Sequence, residues 1–186
     1  QAAVERARTE HSAKSEKLPY AALLAFAMTG FIAVLTETLP AGLLTQIGAG
    51  LQVSEVWAGQ LVTLYALGSI MAAIPLTVAT RGWRRRRGLR MTVCGFLLFN
   101  TVTTFSSHFG LTLVSRFLAG MSAGLAWGIL AGYARGLVSP RLQGRALAIA
   151  MLGTPVALSL GTPAGTWLGN LIGWRASFGI MSALAL

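Results

Sequence analysis

The sequence predicts an all-α membrane protein, a transmembrane helix bundle of six spans with the sixth incomplete. The residues are 54% hydrophobic and 11% charged, with a mean hydropathy of +0.66, a balance that soluble domains rarely reach. The apolar residues fall into runs of the ~20 residues that ~30 Å of hydrocarbon demands. Two of those runs are separated only by Arg81-Gly82-Trp83-Arg84-Arg85-Arg86-Arg87-Gly88-Leu89-Arg90. Each arginine there would cost about 2.5–3.5 kcal/mol at the centre of a span, so this segment is a tight turn facing water.

Residues 1–19 form a polar tail of mixed charge with Arg6, Arg8, Lys14 and Lys17. No small-residue cleavage site follows an apolar core, so the tail is not a signal peptide. The first span covers 20–46, apolar except for Glu37, and closes near Gly48 and Gly50. Ser54 offers a side-chain oxygen as N-cap, with Glu55 in the first turn, and opens a second span over 55–80. The third span covers 91–107, the fourth 111–137 and the fifth 146–168, with Ser139-Pro140 breaking the chain between the last two. The sixth, 174–186, is incomplete. From Ala176 only eleven residues remain, about half of the ~30 Å core at ~1.5 Å per residue. The expectation is a fragment of something longer.

The tail and the turns after the second and fourth spans hold nearly every lysine and arginine. By the positive-inside rule they lie in the cytoplasm, together with the N-terminus of a multi-pass cell-membrane protein. Trp57, Trp167 and Trp174 fall at outer ends and Trp83 at an inner one, as interfacial anchors.

The fourth span carries Gly120, Gly124, Gly128, Gly132 and Gly136, and the fifth repeats the device with Gly153, Ala157, Gly161, Gly165 and Gly169. Small residues at this spacing form a smooth ridge on which helix backbones approach closely. Such ridges serve tight packing, sliding during a transport cycle, or both. Pro40, Pro75, Pro155 and Pro163 lie in or near spans, where each removes a backbone donor and can bend the helix.

Glu37 and Arg116 are the two charges at membrane depth, on the same outward side of the midplane, where they could meet. One reading makes them a proton pathway, because an intramembrane ionisable group is costly and by default functional. The other makes them a structural ion pair, or the arginine a snorkelling side chain. If a pathway is present, Glu37 carries the proton. Tyr65, Asn100, Trp127 and Tyr133 are further candidates for a cavity wall.

The chain has no aspartate and five glutamates, and no His/Asp/Glu cluster stands at a span boundary, so neither a membrane enzyme nor a metal site or cofactor is expected. Catalytic residues are not assigned. The net charge of +10 caps apolar runs and does not line an aromatic-interleaved face, which argues against nucleic acid. Cys94, the single cysteine, sits in an apolar run and reads as packing.

From Leu18 onward these residues resemble the major facilitator superfamily, and within it bacterial drug:proton antiporters of the arabinose-efflux type. The resemblance rests on Glu37-Thr38-Leu39-Pro40-Ala41-Gly42-Leu43-Leu44, on Ser54 through Gly68 and on the basic second turn. Arg116-Phe117-Leu118-Ala119-Gly120, Gly144-Arg145-Ala146-Leu147-Ala148 and Leu160-Gly161-Thr162-Pro163-Ala164-Gly165 complete it. It implies twelve helices in two halves of inverted three-helix repeats, this chain being the N-terminal half, with the substrate between halves. It also implies a proton-transfer role for Arg116, a gating role for the turn with Arg81, Arg84 and Arg85, and an antiporter motif at Gly161, Pro163 and Gly165. Two departures stand out: Leu76 and Thr80 replace the turn's usual glycine and aspartate, and Thr162 precedes Pro163 where glycine is usual.

The expected function is proton-coupled efflux of small drug-like or sugar-like molecules at a bacterial inner membrane. The partners are then substrate, protons, the lipid bilayer, and a second six-helix half or another copy of the chain. The alternative is a non-transporting scaffold that associates through the glycine faces.

Overall fold

The computed structural model describes residues 18–80, 82 and 85–186, apart from the side chains of Arg85 and Ala131. The polar tail up to residue 17, and Arg81, Trp83 and Arg84, lie outside the described residues. Within them the chain is helical, with no strand.

Helix α1 (Tyr20–Thr38) passes through a 3-10 turn at Leu39–Leu43 into α2 (Leu44–Leu51). The first rod is thus longer than the expected 20–46. It stops at Gln52, which takes the left-handed conformation at φ +56°. Ser54 caps α3 (Glu55–Ala79) as expected, its hydroxyl accepting the Trp57 N–H at 3.5 Å. Helix α4 (Arg85–Phe105) starts six residues before the expected 91. Arginine is a good helix former, and Arg86, Arg87 and Arg90 stay exposed on its first turns, so part of the basic run is helical and the turn itself is shorter.

Helix α5 (Phe109–Gly136) is followed by a 3-10 turn at Pro140–Leu142 and a segmented rod. That rod comprises α6 (Gln143–Met151), α7 (Gly153–Val156), a π-turn at Ala157–Gly161 and α8 (Thr162–Ile172), and α9 (Trp174–Leu184) closes the chain. Among the described residues four stretches are long and apolar enough to cross a membrane: Tyr20–Leu51, Glu55–Ala79, Phe109–Gly136 and Pro140–Ile172. The rod α1–α2 and α5 are the more buried of these, and α3 and the α6–α8 rod the more exposed.

Two seams hold the bundle, one between α3 and α5 and one between α1 and the α6–α8 rod, while α4 packs on α5 and α9. The glycine ridges build both seams. A methyl group added at Gly120 would overlap the Tyr65 carbonyl oxygen, one at Gly124 the Ser69 carbonyl, and one at Gly128 the Thr77 hydroxyl. On the other seam Gly153 sits against the Ala27 carbonyl, Gly161 against the Phe31 ring, Gly165 against Leu39 and Gly169 against Leu43. The first ridge stops early, since around Gly132 the space is open.

Two side chains differ from expectation. Trp174 is not an interfacial anchor: it is 4% exposed, in edge contact with Phe178 and under the Arg175 guanidinium, whereas Trp57 and Trp167 are exposed. The reason is local, because Trp174 opens α9 and its indole packs onto Gly50 at the end of the first rod. Cys94 is exposed and not packed, on the α4 face that also presents Met91 and Leu98.

Gly124→Ala is expected to destabilise the protein by about 1–3 kcal/mol, the usual cost of overpacking. Gly132→Ala, on the same helix with room for a methyl group, should be neutral or stabilising by about 0.5–1 kcal/mol. Thermal unfolding of the purified variants in detergent checks the contrast.

Candidate functional site

The site begins with a missing donor. In an α-helix the carbonyl of residue 36 accepts the N–H of residue 40, but residue 40 is proline and has none. Leu39 still closes on Leu35, so Thr36 is the carbonyl left open as the helix tightens into its 3-10 turn. Arg116 Nη2 donates to it at 2.6 Å.

Arg116 is 0% exposed, which rules out snorkelling. It stands one four-residue step before Gly120, at the head of the ridge on α5. The close backbone approach at Gly120 draws Tyr65 against α5, and the Tyr65 ring then lies 4.7 Å from the guanidinium carbon. The Tyr65 hydroxyl donates to the Ala33 carbonyl at 2.8 Å, which fixes the ring. Phe178 of α9 stands 5.4 Å from the same carbon. Desolvating a guanidinium costs several kcal/mol, and two cation–π contacts of about 0.5–2 kcal/mol each offset part of that. Nε and Nη1 of Arg116 are buried without a hydrogen-bond partner.

Glu37 follows Thr36 directly and is half-buried. The structure therefore brings together the two charges singled out in the sequence, close enough to interact electrostatically, although Arg116 bonds the neighbouring carbonyl and not the carboxylate. A third side chain joins them: Asn100 Nδ2 donates to Thr36 Oγ1 at 3.1 Å, and its own Oδ1 is buried without a partner. Tyr65 and Asn100 are both 0% exposed and so face helices, not a cavity. Trp127 and Tyr133 are half-buried.

The second ridge reaches the same level. Thr38 and Thr162 place their hydroxyls 2.7 Å apart, and the Thr162 N–H closes the π-turn on the Ala157 carbonyl, with the Thr162 hydroxyl 3.1 Å from the same oxygen. Gly161, Pro163 and Gly165 thus lie across the seam from the end of α1, linked to it by the threonine that departs from the family pattern. Of the arginine turn, Arg81 and Arg84 lie outside the described residues. Arg85 opens α4 fifteen residues before Asn100, roughly 22 Å along the helix at 1.5 Å per residue, so Arg85 is not part of this site.

The arrangement holds a fixed positive charge beside a half-buried carboxylate at the point where the first rod changes helix type. Among the described residues no group of three His, Cys, Asp or Glu side chains is placed to hold a metal ion. The signal for the Thr36 carbonyl was in the sequence, a proline four residues on. The role of Asn100 had no such signal, because it depends on the rotation of α4.

Arg116→Met leaves the Thr36 carbonyl unpaired, at about 1–3 kcal/mol, whereas Pro40→Ala supplies a backbone N–H for it. Pro40→Ala is therefore expected to stabilise the Arg116→Met protein by about 1–3 kcal/mol more than it stabilises the wild type. A double-mutant cycle on unfolding free energies measures that difference.

Residues 26–186 match the model of the Major Facilitator Superfamily. The chain is 34% identical over 153 residues to a chloramphenicol efflux pump of Mycobacterium tuberculosis, covering 82% of this chain and 37% of the relative. It is 34% identical over 170 residues to the inner membrane transport protein YdhP of Escherichia coli, covering 88% and 44%. It is 32% identical over 153 residues to the purine ribonucleoside efflux pump NepI of Escherichia coli, covering 82% and 39%. The chain thus spans well under half the length of these relatives. With the matched residues running from Phe26 to the last residue and taking in both glycine seams and the Glu37–Arg116 site, this membrane chain belongs to the Major Facilitator Superfamily.

Proposed function

We propose that the chain is the N-terminal half of a proton-coupled exporter of small molecules, with Glu37 as the proton carrier and Arg116 as the fixed charge that reads its protonation. The carrying observation is the fully buried guanidinium held beside Glu37. With Glu37 ionised, the two charges attract and the end of α1 is drawn to α5. With Glu37 protonated, the attraction lapses and the conformational balance changes. A carboxylate whose proton exchanges with opposite sides in the two conformations couples proton flow to transport.

The proposed layout is a cytoplasmic tail over residues 1–19 and a bundle over 20–186, with the N-terminus in the cytoplasm of a bacterial cell. The basic turn with Arg81, Arg84 and Arg85 is the gating loop, and Gly161, Pro163 and Gly165 form the antiporter motif. A second half fits the faces that remain. Val56, Ile70 and Ile74 on α3, and Leu160, Trp167 and Leu171 on the α6–α8 rod, are each at least 60% exposed. The substrate class is drug-like or sugar-like, in keeping with the chloramphenicol and purine ribonucleoside named for two relatives.

The scaffold alternative required free glycine faces. Gly120, Gly124 and Gly128 are spent against α3, and Gly161 and Gly165 against α1, so nothing favours it.

The test is proton-driven efflux in everted vesicles carrying the complete transporter. Glu37→Gln is expected to insert normally and lose proton-driven exchange by at least about tenfold, a factor worth about 1.4 kcal/mol. Normal coupled transport by Glu37→Gln would sink the assignment.

A further inference from the structure

We propose that Asn100 is a positioning residue for Arg116, acting through the hydroxyl of Thr36. The inference rests on reading Glu37 and Arg116 as the coupling pair.

Threonine hydroxyls inside helices ordinarily donate to their own helix four residues back. Thr29, Thr38, Thr92, Thr101, Thr103 and Thr104 all do so here, at 2.6–3.1 Å. Thr36 stands apart, since its hydroxyl is the acceptor of Asn100 Nδ2 at 3.1 Å. Its carbonyl, open because of Pro40, is the acceptor of Arg116 Nη2 at 2.6 Å. One residue of α1 is therefore held from α4 at its side chain and from α5 at its backbone.

A second set of bonds fixes α4 and α5 in the register this requires. Ser115 Oγ donates to the Phe99 carbonyl at 2.6 Å and lies 3.2 Å from the Thr103 hydroxyl. Residues 99–100 are thereby set beside residues 115–116. A buried amide in a membrane-facing helix is costly unless hydrogen-bonded, and Asn100 is 0% exposed with only its Nδ2 satisfied. Asparagine at this depth is thus poorly explained by stability, and what it does accomplish is to hold Thr36.

Removing the amide lets the Thr36 hydroxyl return to the Ile32 carbonyl and unties α4 from the turn that presents the Thr36 carbonyl. The guanidinium then has a looser acceptor, and its unpaired Nε and Nη1 are free to swing to the Glu37 carboxylate. The ionisable groups acting on this turn are Arg116 from α5, Tyr65 from α3 and Glu37 itself. The neighbours from α4, α8 and α9 are Asn100, Thr162 and Phe178, none of which titrates.

The experiment uses the complete transporter in proteoliposomes, with two readouts against pH. One is proton-coupled exchange. The other is labelling of Glu37 by dicyclohexylcarbodiimide, which reacts with protonated carboxyls in apolar surroundings, located by peptide mass. Asn100→Leu and Thr36→Val are each expected to move the labelling midpoint to lower pH by roughly one unit, because a released guanidinium pairs directly with the carboxylate. Thr36→Ser, which keeps the hydroxyl, should stay at the wild-type midpoint, and the double variant should move no further than either single one.

Unshifted midpoints in folded Asn100→Leu and Thr36→Val would overturn the proposal, and so would additive shifts in the double variant. If Asn100→Leu does not fold, Thr36→Val against Thr36→Ser decides the question alone. Should exchange prove indifferent to Glu37→Gln, the coupling reading fails, while the labelling midpoint still reports whether Asn100 positions Arg116.

Discussion

One unfilled carbonyl organises the centre of this molecule. Pro40 deprives Thr36 of its helical donor, and a carbonyl left bare in a low-dielectric interior costs about as much as a lost hydrogen bond. A buried guanidinium is equally costly without acceptors. One bond at 2.6 Å fills the carbonyl and gives the guanidinium a first acceptor, with Nε and Nη1 still unpaired. Because the carbonyl belongs to the residue before Glu37, the solution fixes a positive charge next to the single carboxylate at membrane depth. Moving the proline by one residue would open a different carbonyl, rotated by ~100° about the helix, and Arg116 would no longer meet α1 at this point.

The two seams that frame the site differ in kind. Along α3 and α5 Gly120 and Gly124 meet backbone atoms, namely the carbonyls of Tyr65 and Ser69 and the Ala73 N–H, while Gly128 meets the Thr77 hydroxyl. Backbone inside a helix cannot step aside. Between α1 and the α6–α8 rod, Gly153 meets the Ala27 carbonyl in the same way, but Gly161, Gly165 and Gly169 meet the ends of Phe31, Leu35, Leu39 and Leu43, which can change rotamer at modest cost. That seam also contains the 3-10 turn at Leu39–Leu43 and the π-turn at Ala157–Gly161, both departures from regular α-helix that mark strain or hinge points. The first seam carries the arginine, and the side-chain-lined end of the second, its compliant part, carries the carboxylate.

The sequence reveals most of the architecture because membranes leave few options. Apolar run length, the Ser54 cap and the four-residue glycine period are local signals, and the helices follow them closely. Boundaries shifted where two local rules competed. At Arg85 helix propensity overrode the charge-based turn. Glu37 and Arg116 were legible as intramembrane charges on a shared level. Asn100, Thr36 and Phe178 were not, because their roles depend on how each helix is rotated about its axis, and with apolar residues on nearly all sides these helices carry no amphipathic stripe to set that rotation.

The compliant seam also gives the Thr162 departure a physical role. With glycine at that position the end of α1 would meet the π-turn through van der Waals contact alone. With threonine, the Thr162 and Thr38 hydroxyls stand 2.7 Å apart, one donating to the other. Two protons serve these contacts, so either Thr162 donates to Ala157 and accepts from Thr38, or Thr38 donates to Val34 and accepts from Thr162; both ways tie α1 to the π-turn one residue beyond the carboxylate. Glu37 is therefore bracketed, by Thr36 tied to Asn100 and Arg116 on one side and by Thr38 tied to the π-turn on the other. The residues flanking the carboxylate are thereby tied to both seams, Thr36 to α4 and α5 and Thr38 to the π-turn.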